Sequence, residues 1–283
     1  MRKILIPTDF SENSKNAMRH AIALFANTPC HFYLLYADVQ ESAYVERPSY
    51  EFGTNILVEK EQLSIEDKLY KLKMYLKSLS KKSGLHKFAT IHAKGYFLES
   101  VRTQIGEKQI DLIVMGTKGA SELKEFFMGT HAGDVITKVE CDALVVPDKA
   151  CYKAFEQIVI PIDFEVAFDD ATLRKMSSTL GSQKAQIKLL YVTKSNIPLF
   201  KNIEIRQRQL TELLTERLRK PVSFHRVISA KVEDGVKIFT KSVNADLIIM
   251  LSKDHGLLQK LFLDTTVEEV SFKTSVPLLS LQA

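Results

Sequence analysis

Four of the chain's eleven glycines fall between residues 116 and 133, in MGTKGASELKEFFMGTHAG, directly after the apolar run Leu112-Ile113-Val114. Gly116, Gly119, Gly129 and Thr130 have the spacing G-x2-G-x9-G-[ST]. A glycine just after a strand lets the backbone turn tightly and approach a ligand with no Cβ in the way. Gly129-Thr130 opens a helical pattern. Free N–H groups at a helix start, together with the helix dipole, suit a phosphate. The Thr130 hydroxyl can donate to a phosphate oxygen, and Lys118 adds a positive charge between the first two glycines. A loop that merely turns needs no such pattern; three glycines ending in Gly-Thr at a helix start favour phosphate binding.

The elements that must position these residues follow from repetition and periodicity. The chain is written twice. KILIPTDFSENSKNA (3–17) matches QIVIPIDFEVAFDDA (157–171), HFYLLYADV (31–39) matches IKLLYVTKS (187–195), IDLIVMG (110–116) matches ADLIIML (245–251), and CDALVVP (141–147) matches VPLLSLQ (276–282), in the same order. Two domains are expected, over 1–148 and 155–283, joined near PDKACYKAF.

In the first copy the apolar runs 4–7, 32–36, 88–93, 112–115 and 143–146 read as five strands. Ser11 is a good N-cap for a helix carrying Ala17, Met18, Ala21, Ile22 and Phe25. Further helical spacings join Leu69, Leu72, Leu76 and Leu79; Phe97, Val101 and Ile105; and Ala132, Val135, Ile136 and Val139. Apolar strands alternating with helices imply an α/β fold: two tandem Rossmann-like domains, each a five-stranded parallel open sheet with helices on both faces. Such sheets bind ligands at the carboxyl ends of strands where the strand order reverses. Strands 1 and 4 should flank that point, which brings Pro7-Thr8-Asp9 beside Gly116.

At this point the sequence resembles the universal stress protein family in its tandem form. The resemblance rests on ILIPTDFSENS, LLYA, DLIVMGTKGASELKEFFMGT and ALVVP, spans nearly the whole chain, and matches the ATP-binding branch in its glycine pattern. It implies a bound adenine nucleotide, ATP or else ADP or AMP, with any Mg2+ held by the phosphates. Asp9 would contact the adenine or ribose side, with Pro7 and Thr8 shaping the wall. Ala37 would meet the adenine through its backbone, and Met115 and Gly116 would line the ribose. Lys118 and Gly119 would sit near the phosphates, cradled by Gly129, Thr130, His131 and Ala132. Two residues depart from the family pattern. Lys118 stands where many members have His or Arg, which keeps a cation. His131 stands where a small or apolar residue is common, and the site requires only its N–H.

The second copy loses the pattern. Leu251 stands for Gly116, Asp254 for Gly119 and Asp264 for Gly129, while Thr265, Pro161 and Asp163 remain. A leucine blocks close backbone approach. An aspartate at the phosphate-binding helix start repels phosphate, by about 4 kcal/mol for like charges 4 Å apart at an effective dielectric of about 20. The second domain is therefore expected to bind no ATP in the family manner. Asp254, His255 and Asp264 fit no metal-ligand spacing. In the family, strand 5 commonly pairs with strand 5 of another domain. Here 143–146 and 278–281 could pair within one chain and cap two sheet edges. The polar and aromatic loop 41–55 lengthens the first copy; cover for the adenine, a partner surface and disorder all remain open for it.

Bulk properties exclude other classes. A net charge of +5 spread along the chain, without Lys/Arg blocks, argues against nucleic acid. No apolar run approaches the ~20 residues of a membrane span, and MRKILIPTDF does not read as a secretory signal. Three scattered cysteines suggest neither disulfide framework nor zinc site, and a reducing cytoplasm. No Walker G-x4-G-K-[ST] sequence is present, and Glu122 and Glu125 read as solvated charges, so hydrolysis should be slow at most. The expected function is a cytoplasmic ATP-binding stress or regulatory protein, with a homodimer as a family-level expectation. The alternatives are a nucleotide-independent interaction module, whose groove between domains takes another ligand, and a slow ATPase.

Overall fold

A computed structural model describes residues 1–38, 63–80, 84–117, 130–164, 168–181, 183–194, 201–251 and 275–282. The loop 41–55 lies outside them, as do Lys118, Gly119, Glu122, Glu125, Gly129, Asp254, His255, Asp264 and Thr265. The first half runs β1 (Arg2–Pro7), α1 (Glu12–Leu24), β2 (Cys30–Asp38), α2 (Ile65–Leu79), β3 (His86–Lys94), α3 (Phe97–Lys108), β4 (Leu112–Gly116), α4 (Thr130–Lys138) and β5 (Ala143–Val146). The second runs β6 (Gln157–Pro161), α5 (Asp170–Leu180), β7 (Gln186–Thr193), α6 (Lys201–Leu218), β8 (Val222–Ile228), α7 (Val232–Ser242), β9 (Leu247–Leu251) and β10 (Leu278–Leu281).

All ten strands form one sheet, in the order β3-β2-β1-β4-β5-β10-β9-β6-β7-β8. Within each half every pairing is parallel. The halves meet where β10 runs antiparallel to β5, with Leu278 opposite Val145 and Leu279 opposite Leu144. These four side chains are fully buried, each worth about 1.5–3 kcal/mol of transfer free energy. Further bonds cross the join. Asp142 Oδ1 accepts from Gln282 N at 2.9 Å and pairs with Lys175 at 3.1 Å, and Arg2 donates to Thr179 Oγ1 at 2.9 Å.

Both faces of the sheet are covered. One core packs α1, α2, α5 and α6 through residues such as Met18, Leu72, Met176 and Leu214. The other packs α3, α4 and α7 through Val101, Val135 and Val236. A repeated aspartate locks strand 1 of each copy beside strand 4. Asp111 Oδ2 accepts Lys3 N–H at 2.7 Å; Asp246 Oδ2 accepts the N–H groups of Glu156 and Gln157, each at 2.8 Å. Among the described residues no helix is long and apolar enough to cross a membrane.

Candidate functional site

The strand order reverses between β1 and β4, which are paired in parallel through Ile4–Leu112 and Leu5–Ile113. Pro7 ends β1 and Gly116 ends β4, so the two unusual sequence stretches meet at the carboxyl edge of the sheet. Beyond Pro7 the chain makes a tight polar turn. Thr8 N donates to Leu35 O at 2.8 Å, the Thr8 hydroxyl accepts Phe10 N–H at 3.0 Å, and it shares a 3.1 Å hydrogen bond with Ser14 Oγ. Ser11 caps α1, its hydroxyl accepting Ser14 N–H at 3.2 Å.

Phe10 lies in the left-handed region at φ 64°, and Phe164 in the second copy at φ 65°. Such a bulky residue costs about 1–2 kcal/mol there. Each ring packs on a tyrosine of the neighbouring strand, Phe10 on Tyr36 at 5.0 Å and Phe164 on Tyr191 at 5.3 Å between centroids. Because both copies keep this strained turn, it belongs to the architecture and is not specific to a ligand.

Asp9 follows in this turn. Its Oδ1 accepts Ser11 N–H at 3.0 Å. Burial pushes the Asp9 carboxyl up, but the Ser11 and Ser14 polar groups facing it outweigh burial and hold it below its usual range. Its other oxygen, Oδ2, is buried and has no partner at hydrogen-bond distance among the described residues. A buried charged acceptor without a donor costs free energy until one arrives.

Gly116 has a packing role beside the one its spacing suggests. A Cβ at this position would stand 2.7 Å from Cγ and Oδ1 of Asn13 and 2.8 Å from its Nδ2. The space a side chain would take is occupied by the Asn13 amide, from the first turn of α1. The glycine is required by a helix of the protein itself, whatever ligand lies beyond. Asn13 is the residue that sequence reasoning missed. The signal was present in its polar run, SENS, on a helix face that is otherwise apolar.

Ala37 lies near the end of β2, half-buried and opposite Ala93. The Met115 side chain is packed in the core with Val135 and Ile136, so that residue offers only its backbone at the sheet edge. Thr130 begins α4. The exposed His131 ring rests on Phe97, centroids 4.5 Å apart, and Ala132 is buried beneath the helix.

The corresponding corner of the second copy keeps Asp163 and is otherwise lined by apolar residues. Ile158 sits in β6 as Ile4 does in β1, each opposite the first leucine of its neighbouring strand. The buried faces of α1 and α5 then match with one residue inserted: Ala17, Met18, Ala21 and Phe25 correspond to Thr172, Leu173, Met176 and Leu180. Carried back past the N-cap Asp169, that register sets Phe168 against Asn13, while the strand registers set Ile162 against Thr8 and Leu251 against Gly116. Ile162, Phe168, Leu210 and Leu251 border a residual cavity of about 20 Å³.

The model of the universal stress protein family matches this sequence twice, over residues 1–147 and 154–281. The chain belongs to the universal stress protein family. It is 31% identical over 148 residues to a universal stress protein of Methanocaldococcus jannaschii, an alignment covering 51% of this chain and 81% of that protein. The fold resembles a universal stress protein structure from Archaeoglobus fulgidus, at TM-score 0.63 and 16% identity, covering 99% of this chain and 98% of that one. A putative universal stress protein from Pseudomonas aeruginosa is similar at TM-score 0.60 and 14% identity, covering 100% and 93%. These two likenesses extend along the whole of the ten-stranded arrangement.

Proposed function

We propose that this universal stress protein binds one adenine nucleotide, in its first half, and acts in a regulatory or stress-response role in the cytoplasm. ATP is the leading candidate, with ADP or AMP as variants. The observation that carries the reading is Asp9: a buried carboxylate oxygen with no hydrogen-bond donor among the described residues, at the reversal of strand order. A ribose hydroxyl or the adenine amino group would supply that donor. Pro7 and Thr8 would form the wall beside it, and the backbones of Ala37, Met115 and Gly116 would line the adenine and ribose. Phosphates would lie by Lys118 and Gly119 and at the start of α4, where Gly129, Thr130, His131 and Ala132 would offer backbone N–H groups. Because the His131 ring already packs on Phe97, its N–H is the group it contributes. Any Mg2+ would be carried by the phosphates.

The second half, in this reading, is silent towards nucleotide. Phe168 and Leu251 take the places of Asn13 and Gly116 and leave almost no room, and Asp264 stands where Gly129 does. Nucleotide occupancy of one half would then be sensed by partners or by a second copy of the chain. The test is the nucleotide content of the purified protein, released by denaturation and separated by anion exchange, followed by ATP titration. One nucleotide per chain is expected, and none in Gly129→Asp, which should keep its circular dichroism spectrum. Two per chain, or wild-type binding by the variant, would overturn the assignment.

A further inference from the structure

A second pocket lies away from the strand ends just described, in the cleft between the halves. It has a volume of about 740 Å³, well within the ~300–1,000 Å³ usual for small-molecule sites. Its walls come from three places: His20 on α1, the connecting segment with Cys151, Lys153 and Phe155, and the lower end of the second half with Lys237, Lys241 and Asn244.

The cleft is held open by defined contacts. Asn16 Nδ2 donates to the carbonyls of Pro147, Asp148 and Ala150 at 3.1, 3.2 and 2.9 Å, clamping the connecting segment to α1. One turn further along α1, His20 meets Tyr152 edge-on, with centroids 5.0 Å apart. On the far side Asp246 holds the backbone of Glu156 and Gln157 and pairs with Lys153.

Two features of the lining lack partners. His20 is only 2% exposed, yet neither ring nitrogen has a hydrogen-bond partner among the described residues. Burying an imidazole with both nitrogens unsatisfied is costly, and native structures rarely leave such groups unexplained. Lys237 and Lys241, one turn apart on α7, are exposed and make no ion pair among the described residues. Lys153 is already neutralised by Asp246. Among the described residues the free charge at the cleft is therefore positive, while Phe155, Val276, Pro277 and Ala245 supply an apolar wall.

We propose that this cleft is a binding site for a small organic anion with an apolar or aromatic body, its charged head on Lys237 and Lys241 and a polar group of its body on His20. Burial lowers the His20 pKa to about 4. The ring is therefore neutral near pH 7 and can give one hydrogen bond and accept another. The site is separate from the nucleotide reading: it uses none of those residues, and its test does not depend on ATP.

The cleft carries its own reporter. Cys151 is exposed on its wall, whereas Cys30 and Cys141 are buried, and burial pushes those two thiols up to about 11 and about 12. A chromogenic disulfide such as DTNB should thus modify Cys151 selectively in the folded protein. The probe is 8-anilinonaphthalene-1-sulfonate, an aromatic sulfonate, with N-phenyl-1-naphthylamine as the same body without the charge. Saturable slowing of Cys151 modification by the sulfonate is expected, with little effect of the neutral amine. Lys237→Glu/Lys241→Glu, two exposed changes that should leave folding intact, should weaken protection about tenfold or more. His20→Phe should weaken it too, and Gly129→Asp should leave it unchanged. No protection by the sulfonate would overturn the proposal, as would equal protection by the neutral amine or undiminished protection in the charge-reversed variant.

Discussion

Gly116→Ala tests whether the glycine after β4 exists for the protein's own packing. The backbone there is outside the left-handed region, so alanine is conformationally permitted, and by chain entropy alone the change would stabilise by about 0.4–1 kcal/mol. The new Cβ, however, falls 2.7 Å from Cγ and Oδ1 of Asn13. That is nearly 1 Å inside a normal carbon contact of about 3.5–4.0 Å. Asn13 is 7% exposed and sits in the first turn of α1, so its amide cannot swing into solvent without shifting the helix start. Overpacking of this kind costs about 1–3 kcal/mol. Asn13→Ala removes the three atoms that clash and should relieve the penalty. Urea unfolding of wild type, both single variants and the double variant gives the coupling. A favourable interaction of about 1–3 kcal/mol is expected between the two changes. If Gly116→Ala costs the same whether residue 13 is Asn or Ala, the glycine is not there for Asn13, and the account of this corner is wrong.

Other expectations follow from single buried groups. His20 has a folded pKa of about 4, depressed by burial from 6.5. Between these values the unfolded chain binds a proton there that the folded chain does not, so stability should fall as pH drops through that window, by on the order of 3 kcal/mol in total. The slope of stability against pH between 4 and 6.5 should flatten in His20→Phe; an unchanged slope would contradict the burial argument. Asp246→Asn keeps the shape but removes the charge that holds Lys153 and the Glu156 and Gln157 N–H groups; it should lower stability by about 1–3 kcal/mol in thermal or urea melts. Burial pushes the Asp246 carboxyl up, but the Lys153 ammonium and the two N–H groups bring it below its usual range. Its contribution is therefore complete above the ordinary carboxylate pKa and fades as pH falls below it, a dependence the Asn variant should lose.

Much of the fold was legible because strand and helix periods leave separate marks. Leu112-Ile113-Val114 could only be an interior strand, and Leu69, Leu72 and Leu76 are the buried face of α2. Strand ends were read short. β1 begins at Arg2 and β3 extends from His86 to Lys94, because backbone pairing continues past the apolar run into half-buried positions that hydropathy does not mark. At the site, the meeting of Pro7-Thr8-Asp9 with Gly116 followed from strand order alone. The packing of Gly116 against Asn13 did not, because the side chain it accommodates lies over a hundred residues away. The two copies also aligned without a gap in sequence, which set Asn13 against Ala167. Only the buried faces of the helices reveal the inserted residue that sets it against Phe168. His20 was invisible for a related reason. A single histidine in an amphipathic helix carries no pattern, and its chemistry arises from the connecting segment that crosses it.

The two corners set different chemistry on the same scaffold. Both copies keep the strained phenylalanine, its tyrosine support and the aspartate that ties strand 1 beside strand 4. These belong to the sheet and cannot vary independently of it. What differs is the small set Thr8, Asn13 and Gly116 against Ile162, Phe168 and Leu251. The first set places polar side chains at the sheet edge; the second exchanges them for apolar contacts, with Ile162, Phe168 and Leu251 all buried. Each buried side chain of that kind contributes about 1.5–3 kcal/mol. On this argument the second half gains stability where the first retains polar chemistry. Because β10 is bonded to β5, that stability is delivered directly to the sheet edge on which the first half rests. Replacing Leu251 by Gly should therefore weaken the whole molecule through a cavity at the closed corner, by about 2–5 kcal/mol, without creating a nucleotide site. A single shifted unfolding transition with no gain in ATP stoichiometry is the expected result; a second bound ATP would mean that Leu251 alone keeps the corner closed.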